Sequence, residues 1–282
     1  MTELTPEQIE EITKCKDDPV YFIDNYVKYT CLHPVTKLYD YQEVVIRHYH
    51  KNRFSICKAS RQSGKSFVVN AYLLHYIIFN EKVTAGLFTM NRNNARELLN
   101  RIKTMYLEIP EWLRHGATIS NNMGLVLENN SIIVCLPVNF QDAKGIFYDM
   151  IVLDEFAFVD DDVAVNFWNA MAPTIYSNPN GKIIISSTPA RSHRLKEIIN
   201  EEKNPENIVV STPFYKVVPT FFYKLWADAL FGYNEFCPIS VVWNQMPGKD
   251  EEWREKMIQN IGIDSFKNEF ECEFLYLQGE PK

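Results

Sequence analysis

The strongest constraint on the fold is a loop with the sequence ASRQSGKS at residues 59–66. A short apolar run at 54–57 precedes it, and a mostly apolar run at 67–74 follows it. A strand, a tight loop and a helix in this order form a P-loop, in which backbone N–H groups at a helix N-terminus surround a phosphate. The competing interpretation is a surface loop that contains Gly-Lys-Ser by chance. The flanking runs favour a P-loop, with Ala59 at the position where glycine is usual.

Each residue type in this loop has a phosphate-binding role. N–H groups of residues 61–65 would surround the β-phosphate, Lys65 would reach the β- and γ-phosphates, and the Ser66 hydroxyl would complete the Mg²⁺ shell. Arg61 would stabilise charge on the γ-phosphate; the alternative is a surface arginine paired with an acid. The loop residues predicted to bind nucleotide are Ser60, Arg61, Gln62, Ser63, Gly64, Lys65 and Ser66.

Composition and charge narrow the class of protein. The 282 residues suffice for one large domain, or a domain with a small appendage, and 46% of them are hydrophobic. No apolar run reaches the roughly 18 residues of a membrane span, and the acidic N-terminus is unlike a signal peptide. Six scattered cysteines without a C-x-x-C pair predict free thiols and no cysteine-bound metal. The net charge of −7 argues against unaided coating of nucleic acid, although it allows contact through a local basic patch or an assembly.

The pattern of apolar residues predicts strands alternating with helices. Continuous apolar strands of this kind are typical of a mainly parallel sheet covered by helices on both faces. Beyond about residue 212 the sequence is richer in aromatic residues and less regular, so we place the end of the sheet core there. Strands are predicted at 54–57, 84–89, 150–155 and 182–189, a hairpin at 117–137, and helices at 6–30 with a break near Pro19, 41–51, 67–74, 94–108, 162–172, 192–201, 251–260 and 264–274.

An apolar strand at 150–155 ends in two acids, Asp154 and Glu155. At the C-terminal edge of a parallel sheet, Asp154 would hold the Mg²⁺ water shell and Glu155 would polarise the water that attacks the γ-phosphate. The alternative is a strand that runs into an exposed acidic turn, as expected for residues 160–162. The P-loop favours the first interpretation.

Two further features support the same site. The strand at 183–189 ends in hydroxyl side chains, and Ser187 and Thr188 would sense the γ-phosphate; the alternative is an ordinary strand end at Pro189. Gln42, shortly before the P-loop strand, could present a donor and an acceptor to adenine, although a solvated helix glutamine is far commoner.

Taken in order, these residues resemble the ATPase domain of the large terminase subunit, the DNA-packaging motor of tailed bacteriophages, and its T4-like type in particular. The Tyr-Gln pair at 41–42 is similar to the adenine-binding motif of that family, and 60–66 to its variant P-loop with Arg-Gln before Gly-Lys. Residues 150–158 resemble its Asp-Glu-x-Ala-Phe Walker B strand, 185–189 its coupling motif, and 266–274 the end of the domain.

The resemblance implies a RecA-like (ASCE) P-loop NTPase fold in the α/β class, with a core at 36–212. A small lid subdomain would comprise 1–35 and 213–277, and 278–282 would be a tail or the start of a linker. Complete large terminases continue into a nuclease domain. This sequence stops at residue 282, near the expected linker, so we expect no nuclease domain and no DNA cleavage from it.

The resemblance also implies roles for the site residues. Lys65 and Ser66 would bind phosphate and Mg²⁺, with Asp154 sharing the metal. Glu155 would be the catalytic carboxylate and Arg61 an arginine acting in cis. Ser187 and Thr188 would couple hydrolysis to movement.

The expected activity is ATP hydrolysis that moves double-stranded DNA into a procapsid, in the cytoplasm of the host and away from any membrane. The expected partners are the portal protein and the small terminase subunit, with a homo-oligomeric ring on the procapsid and a monomer in isolation. The main alternative is a single-core helicase or DNA-remodelling ATPase. Another is a nucleotide-binding regulator that does not hydrolyse, against which Glu155 argues.

Overall fold

The computed structural model of the chain describes residues 4–28, 37–143, 145–190 and 220–274. Within these residues, eight strands form one sheet. The strands are β1 (Phe54–Ala59), β2 (Thr84–Thr89), β3 (Ala117–Ser120), β4 (Gly124–Leu127), β5 (Ile132–Pro137), β6 (Met150–Asp154), β7 (Lys182–Ser187) and β8 (Cys237–Val241).

The sheet is mainly parallel, as predicted. Its strand order is β3-β4-β5-β2-β6-β7-β1-β8. The strands from β5 to β8 in that order run parallel to one another, and β3 and β4 add an antiparallel hairpin at the other edge. The P-loop follows β1 and the acidic pair ends β6, with β7 between these two strands. Since parallel strands end at the same edge, the topology brings the two motifs together.

Helices cover both faces of the sheet. On one face, Cys57 and Val152 contribute to a core that includes the first helices; on the other, Ile56 and Leu153 pack with later ones. This alternation explains why both strands are apolar throughout. No helix in the described ranges has the length and apolar character to cross a membrane. The α-helices are α1 (Pro6–Asp17), α2 (Pro19–Tyr26), α3 (Asp40–Lys51), α4 (Lys65–Phe79), α5 (Arg92–Glu108), α6 (Phe140–Ala143), α7 (Asp161–Tyr176), α8 (Phe221–Phe231), α9 (Glu251–Ile261) and α10 (Ile263–Glu269).

The predicted break at Pro19 separates α1 from α2. The Asp18 carboxylate caps α2 by accepting hydrogen bonds from the backbone N–H groups of Val20 and Tyr21, at 2.9 and 3.3 Å. Pro19 takes the first helical position, where its missing N–H costs nothing. The short helix α2 then packs against α3 and α4, so its buried side chains join the core on that face of the sheet.

Strand β8 corrects the prediction that all of 213–277 lies outside the sheet core. Residues 237–241 pair in parallel with β1 and form the edge of the sheet. The pattern here is a weak strand signal because the segment has five residues and contains Pro238. Proline is tolerated at an edge, where one side of the strand needs no hydrogen-bonding partner.

Other predicted boundaries move or lie outside the described residues. The helix predicted at 264–274 ends at Glu269, and Cys272 has a positive φ of 57°. The helix predicted at 192–201, the boundary near 212 and the tail at 278–282 are not among the described residues. The grouping of 1–35 with 213–277 as one lid stays a prediction.

We predict that Phe22→Ala lowers the free energy of unfolding by about 3 kcal/mol or more. Phe22 is fully buried on α2, and its ring contacts those of His75 and Phe79 of α4, so the substitution leaves a cavity between the two helices. Urea denaturation followed by circular dichroism should show one cooperative transition at a lower midpoint. The matched control is Ile9→Ala on the exposed side of α1, expected to cost less than about 0.5 kcal/mol. A separate early transition with an unchanged main midpoint would contradict the packing of α2 on the core.

Candidate functional site

The P-loop is a tight turn between β1 and α4. Gln62 and Gly64 both have left-handed backbone conformations, with φ of 64° and 74°. A Cβ atom built at Gly64 would lie 2.6 Å from Nε2 of Gln42, so a side chain there would displace Gln42 as well as strain the backbone. The backbone N–H of Ser60 donates to the carbonyl of Val241, the last residue of β8, at 2.8 Å. The edge strand that the sequence did not predict therefore holds the start of the loop.

Two side chains of α3 hold the P-loop from behind. The hydroxyl of Tyr41 and the amide nitrogen of Gln42 both donate to the carbonyl oxygen of Ser63, at 3.0 and 3.2 Å. The amide oxygen of Gln42 accepts from the backbone N–H of Tyr39 at 3.1 Å. Both polar ends of the Gln42 amide are thus engaged with backbone groups, and the side chain is buried. The structure gives Gln42 a place in supporting the loop, and its contact with adenine stays a prediction.

The P-loop and the acidic strand end meet at the same edge of the sheet. The ammonium nitrogen of Lys65 lies 2.9 Å from Oε1 of Glu155. The hydroxyl of Ser66 donates to Oδ2 of Asp154 at 3.1 Å. Lys65 and Ser66 begin α4, where the N-terminal end of the helix favours negative charge. Four of the five side chains predicted to form the reacting centre are therefore in contact as two pairs, and Arg61 is the fifth.

Glu155 lies in a sharp turn that is bonded to the end of β7. Its φ of 55° is left-handed, and its N–H donates to the carbonyl of Ser186 at 2.8 Å. Two residues later, the N–H of Ala157 donates to the hydroxyl oxygen of Ser187 at 3.1 Å, and that hydroxyl donates to the carbonyl of Thr188 at 2.8 Å. The predicted coupling residues are thus connected to the turn that carries the predicted catalytic carboxylate.

Burial dominates the electrostatics of Asp154. Asp154 is 3% exposed, and this burial, together with the nearby carboxylate of Glu155, raises the pKa of Asp154 to about 6. The ammonium of Lys65 and the hydroxyl of Ser66 act in the opposite direction. At neutral pH the charged form of Asp154 therefore destabilises the folded state, and a further cation nearby would offset this effect.

The oxygen atoms at this edge fit a magnesium ion. Oδ1 of Asp154 and Oε2 of Glu155 are buried and have no hydrogen-bond partner among the described residues. Carboxylate and hydroxyl oxygens are ligands that Mg²⁺ prefers, and Ser66 and Asp154 supply one of each within hydrogen-bonding distance. Because the described residues contain no group of three or more His, Cys, Asp or Glu suited to a metal, the other ligands would be water and phosphate oxygens.

Arg61 lies at the rim of the loop, paired with an acid from the end of the described chain. Its Nε donates to Oε2 of Glu269 at 2.5 Å, and its backbone N–H donates to the carbonyl of the same residue at 2.8 Å. The neighbouring Gln62 accepts from the ammonium of Lys249 at 3.4 Å. The acid pairing weighed in the sequence analysis is therefore present, and the action of Arg61 in cis stays a prediction.

Sequence reasoning missed three residues that support the P-loop. These are Tyr41 of α3, Lys249 before α9 and Glu269 at the end of α10. The sequence predicts no contact of Tyr41 with the P-loop beyond its place in the Tyr-Gln pair at 41–42. The pairing of Glu269 with Arg61 spans 208 positions. No local pattern encodes a contact of that range, so only the fold reveals it.

We predict that Asp154→Asn stabilises the protein at pH 7.5 when magnesium is removed with EDTA. The raised pKa means that the folded state binds this proton more tightly than the unfolded chain. Charge on Asp154 therefore lowers stability above about pH 6 and has no effect below about pH 4. The expected gain is about 1–3 kcal/mol at pH 7.5, shrinking toward pH 4, measured by urea denaturation.

The exposed Asp160 provides the control, since Asp160→Asn should change the free energy of unfolding by less than about 0.5 kcal/mol. Added Mg²⁺ should stabilise the wild-type protein more than Asp154→Asn. If Asp154→Asn is less stable than the wild type at pH 7.5, the negative charge of Asp154 is fully compensated by its neighbours in the folded state.

Comparison with solved structures places this fold among phage terminases. The ATPase domain of the large terminase of Thermus phage P74-26 is 17% identical with a TM-score of 0.55, covering 82% of this chain and 93% of that one. The large terminase of bacteriophage HK97 is 16% identical with a TM-score of 0.56, covering 90% and 53%. The large terminase of a thermophilic bacteriophage in complex with ATP-gamma-S is 12% identical with a TM-score of 0.58, covering 84% and 53%.

These identities establish a shared fold, and this chain spans about half the length of the HK97 protein and of the ATP-gamma-S complex. The family described as terminase large subunit, T4-like-virus type, N-terminal, matches residues 56–280. That range runs from the P-loop strand past α10 and includes all the contacts between Lys65, Ser66, Asp154 and Glu155. The chain therefore belongs to the T4-like-virus type of the large terminase subunit family.

Proposed function

We propose that this chain hydrolyses ATP with Mg²⁺ at the junction of the P-loop and β6, and that hydrolysis moves double-stranded DNA into a viral procapsid. The observation that supports the proposal is the contact of Lys65 with Glu155 at 2.9 Å beside that of Ser66 with Asp154 at 3.1 Å. A phosphate-binding cation, a metal-binding hydroxyl and two carboxylates at one sheet edge are the groups that phosphoryl transfer to water requires. Membership of the terminase family supports duplex DNA as the substrate and a procapsid as its destination.

The same contacts suggest how the site responds to substrate. With no triphosphate present, Glu155 neutralises the charge of Lys65. A γ-phosphate would compete for Lys65, which would release the Glu155 carboxylate to accept a proton from the attacking water. When bound, Mg²⁺ supplies positive charge to the phosphate oxygens on which negative charge develops. Ser66 and Asp154 would hold it.

The effect of losing the γ-phosphate would be transmitted through β7. The Glu155 turn is bonded to Ser186 and Ser187, so loss of the γ-phosphate would act on the end of that strand and on the chain that follows Thr188. We propose that this moves the lid formed by residues outside the sheet relative to the core, and with it a DNA-gripping surface.

The proposed setting is a ring of copies on the portal, together with the small terminase subunit, in the cytoplasm of the host. With a net charge of −7, an isolated copy would bind DNA weakly, because affinity for the phosphate backbone depends on lysine and arginine. A ring would arrange local basic patches around one duplex. The helicase alternative is not favoured, since the family match points to packaging.

We predict that Glu155→Ala abolishes ATP turnover while ATP still binds. Removing a general base typically costs a factor of about 10² to 10⁴ in rate, whereas the P-loop contacts with the phosphates remain. Phosphate release measures turnover, and fluorescent-nucleotide titration measures affinity. The matched control is Asp160→Ala, an exposed acid five positions later with no capping hydrogen bond. Undiminished turnover in Glu155→Ala would remove its assigned role.

We predict that the chain supports DNA packaging and does not unwind DNA. Added to portal-bearing procapsids with the small terminase subunit, it should protect linear duplex DNA from nuclease in an ATP-dependent way, with Glu155→Ala as the inactive control. A forked duplex incubated with the chain and ATP should remain paired. Strand separation by the chain alone would overturn the packaging proposal in favour of a helicase. No wild-type turnover in any assembly would favour a regulator that only binds nucleotide.

A further inference from the structure

The guanidinium group of Arg61 is held along one edge only. Its Nε donates to Glu269, and no other hydrogen bond or ion pair of this side chain is found in the described part of the chain. Its side chain is 56% exposed. A guanidinium presents its donors as a planar fork, so a carboxylate at Nε leaves donors of the terminal amino groups available for oxygen atoms of a second anion. The geometry is suited to one carboxylate and one phosphate at the same time.

Glu269 is itself held firmly. It ends α10, where Phe266 is fully buried and Phe270 is 5% exposed, so the end of the helix is packed into the core. Its carbonyl also accepts from the backbone N–H of Arg61 at 2.8 Å. Consequently, the carboxylate is placed at a fixed distance from the P-loop before any nucleotide arrives.

We propose that Glu269 is a positioning residue that orients Arg61 for its predicted contact with the γ-phosphate during ATP hydrolysis; this inference rests on the proposed function. Arginine loses much rotamer freedom when it is fixed, and a partner at Nε removes most of that freedom in advance. The carboxylate also keeps the charge of Arg61 close to the loop, whose other cation, Lys65, is engaged with Glu155.

Two simpler interpretations of the Arg61–Glu269 ion pair predict different consequences of removing it. As an ordinary surface ion pair it would contribute little to any property of the protein. As an attachment of α10 to the P-loop it would contribute to stability, and removing either side chain would lower the unfolding temperature. The backbone hydrogen bond between the two residues already provides attachment and survives a change of the Glu269 side chain.

The test is a double-mutant cycle on the full chain. Arg61→Ala should lower the ATP turnover rate by about a thousandfold, and Glu269→Ala by about tenfold, each with an ATP affinity within about twofold of wild type. Adding Glu269→Ala to Arg61→Ala should cause no further loss, because the carboxylate acts through the arginine. Glu269→Gln, which keeps an acceptor oxygen for Nε, should retain more activity than Glu269→Ala.

The matched control is Glu271→Ala. Glu271 pairs with Nε of Arg254 at 3.5 Å in the same segment, so this change removes an equivalent arginine–glutamate pair and should leave turnover unchanged. Thermal unfolding of every variant shows whether each is folded at the assay temperature.

Three outcomes would overturn the inference, and they separate it from the proposed function. Turnover by Glu269→Ala equal to wild type would overturn the positioning role alone. An equal further loss in the Arg61→Ala background would show that Glu269 acts on the structure and not through Arg61. An absence of wild-type turnover would overturn the proposed function, and this inference with it.

Discussion

The whole site depends on the meeting of two segments that are 88 positions apart at the Ser66–Asp154 hydrogen bond. That meeting is a consequence of the parallel sheet. Because β1 and β6 both end at the same edge with β7 between them, the residues that follow them have no other place to lie. It also has an energetic cost, since Asp154 is buried beside a second carboxylate and its pKa is raised to about 6. Folding places two acids together, and Lys65 with Ser66 compensates only part of their repulsion. A site with unsatisfied negative charge attracts a metal ion.

Most of the fold and the reacting centre could be predicted from sequence because both depend on local patterns. The strand, loop and helix around the P-loop are contiguous, as are the apolar run and acidic end of β6, and parallel pairing follows from their fully apolar character. Strand β8 was missed because five residues with a proline carry little periodicity. Gln42 was assigned to adenine from a motif alone, whereas the fold places its amide against the backbone of Ser63 and Tyr39. The Arg61–Glu269 pair joins residues whose proximity only the completed fold determines.

Two of the five non-glycine residues with positive φ in the described part of the chain, Gln62 and Glu155, lie at the candidate site. Glu155 and Gln62 are non-glycine residues with left-handed φ values, a conformation that costs about 1 kcal/mol or more. Each is held in place by neighbours: Glu155 by Ser186 of β7, and Gln62 by the flanking turn and Lys249. The Glu155 turn aims its carboxylate back at the P-loop, which an extended continuation of β6 would not do. The strain therefore has a geometric result, the contact with Lys65.

The P-loop is anchored by three segments that are distant in sequence, and this sets a limit on how nucleotide can act. The backbone of Ser60 is bonded to β8, that of Arg61 to α10, and that of Ser63 to two side chains of α3. Since these anchors involve backbone groups of the loop itself, a shift of the loop on phosphate binding must either break them or carry the attached segments with it. The α3 helix and the end of α10 both belong to the packed core, since Phe266 and Phe270 share one hydrophobic cluster with Ile46 of α3. A displacement of the loop that begins at the triphosphate would therefore have to break the backbone hydrogen bond from Arg61 to Glu269 or move the end of α10 with the loop.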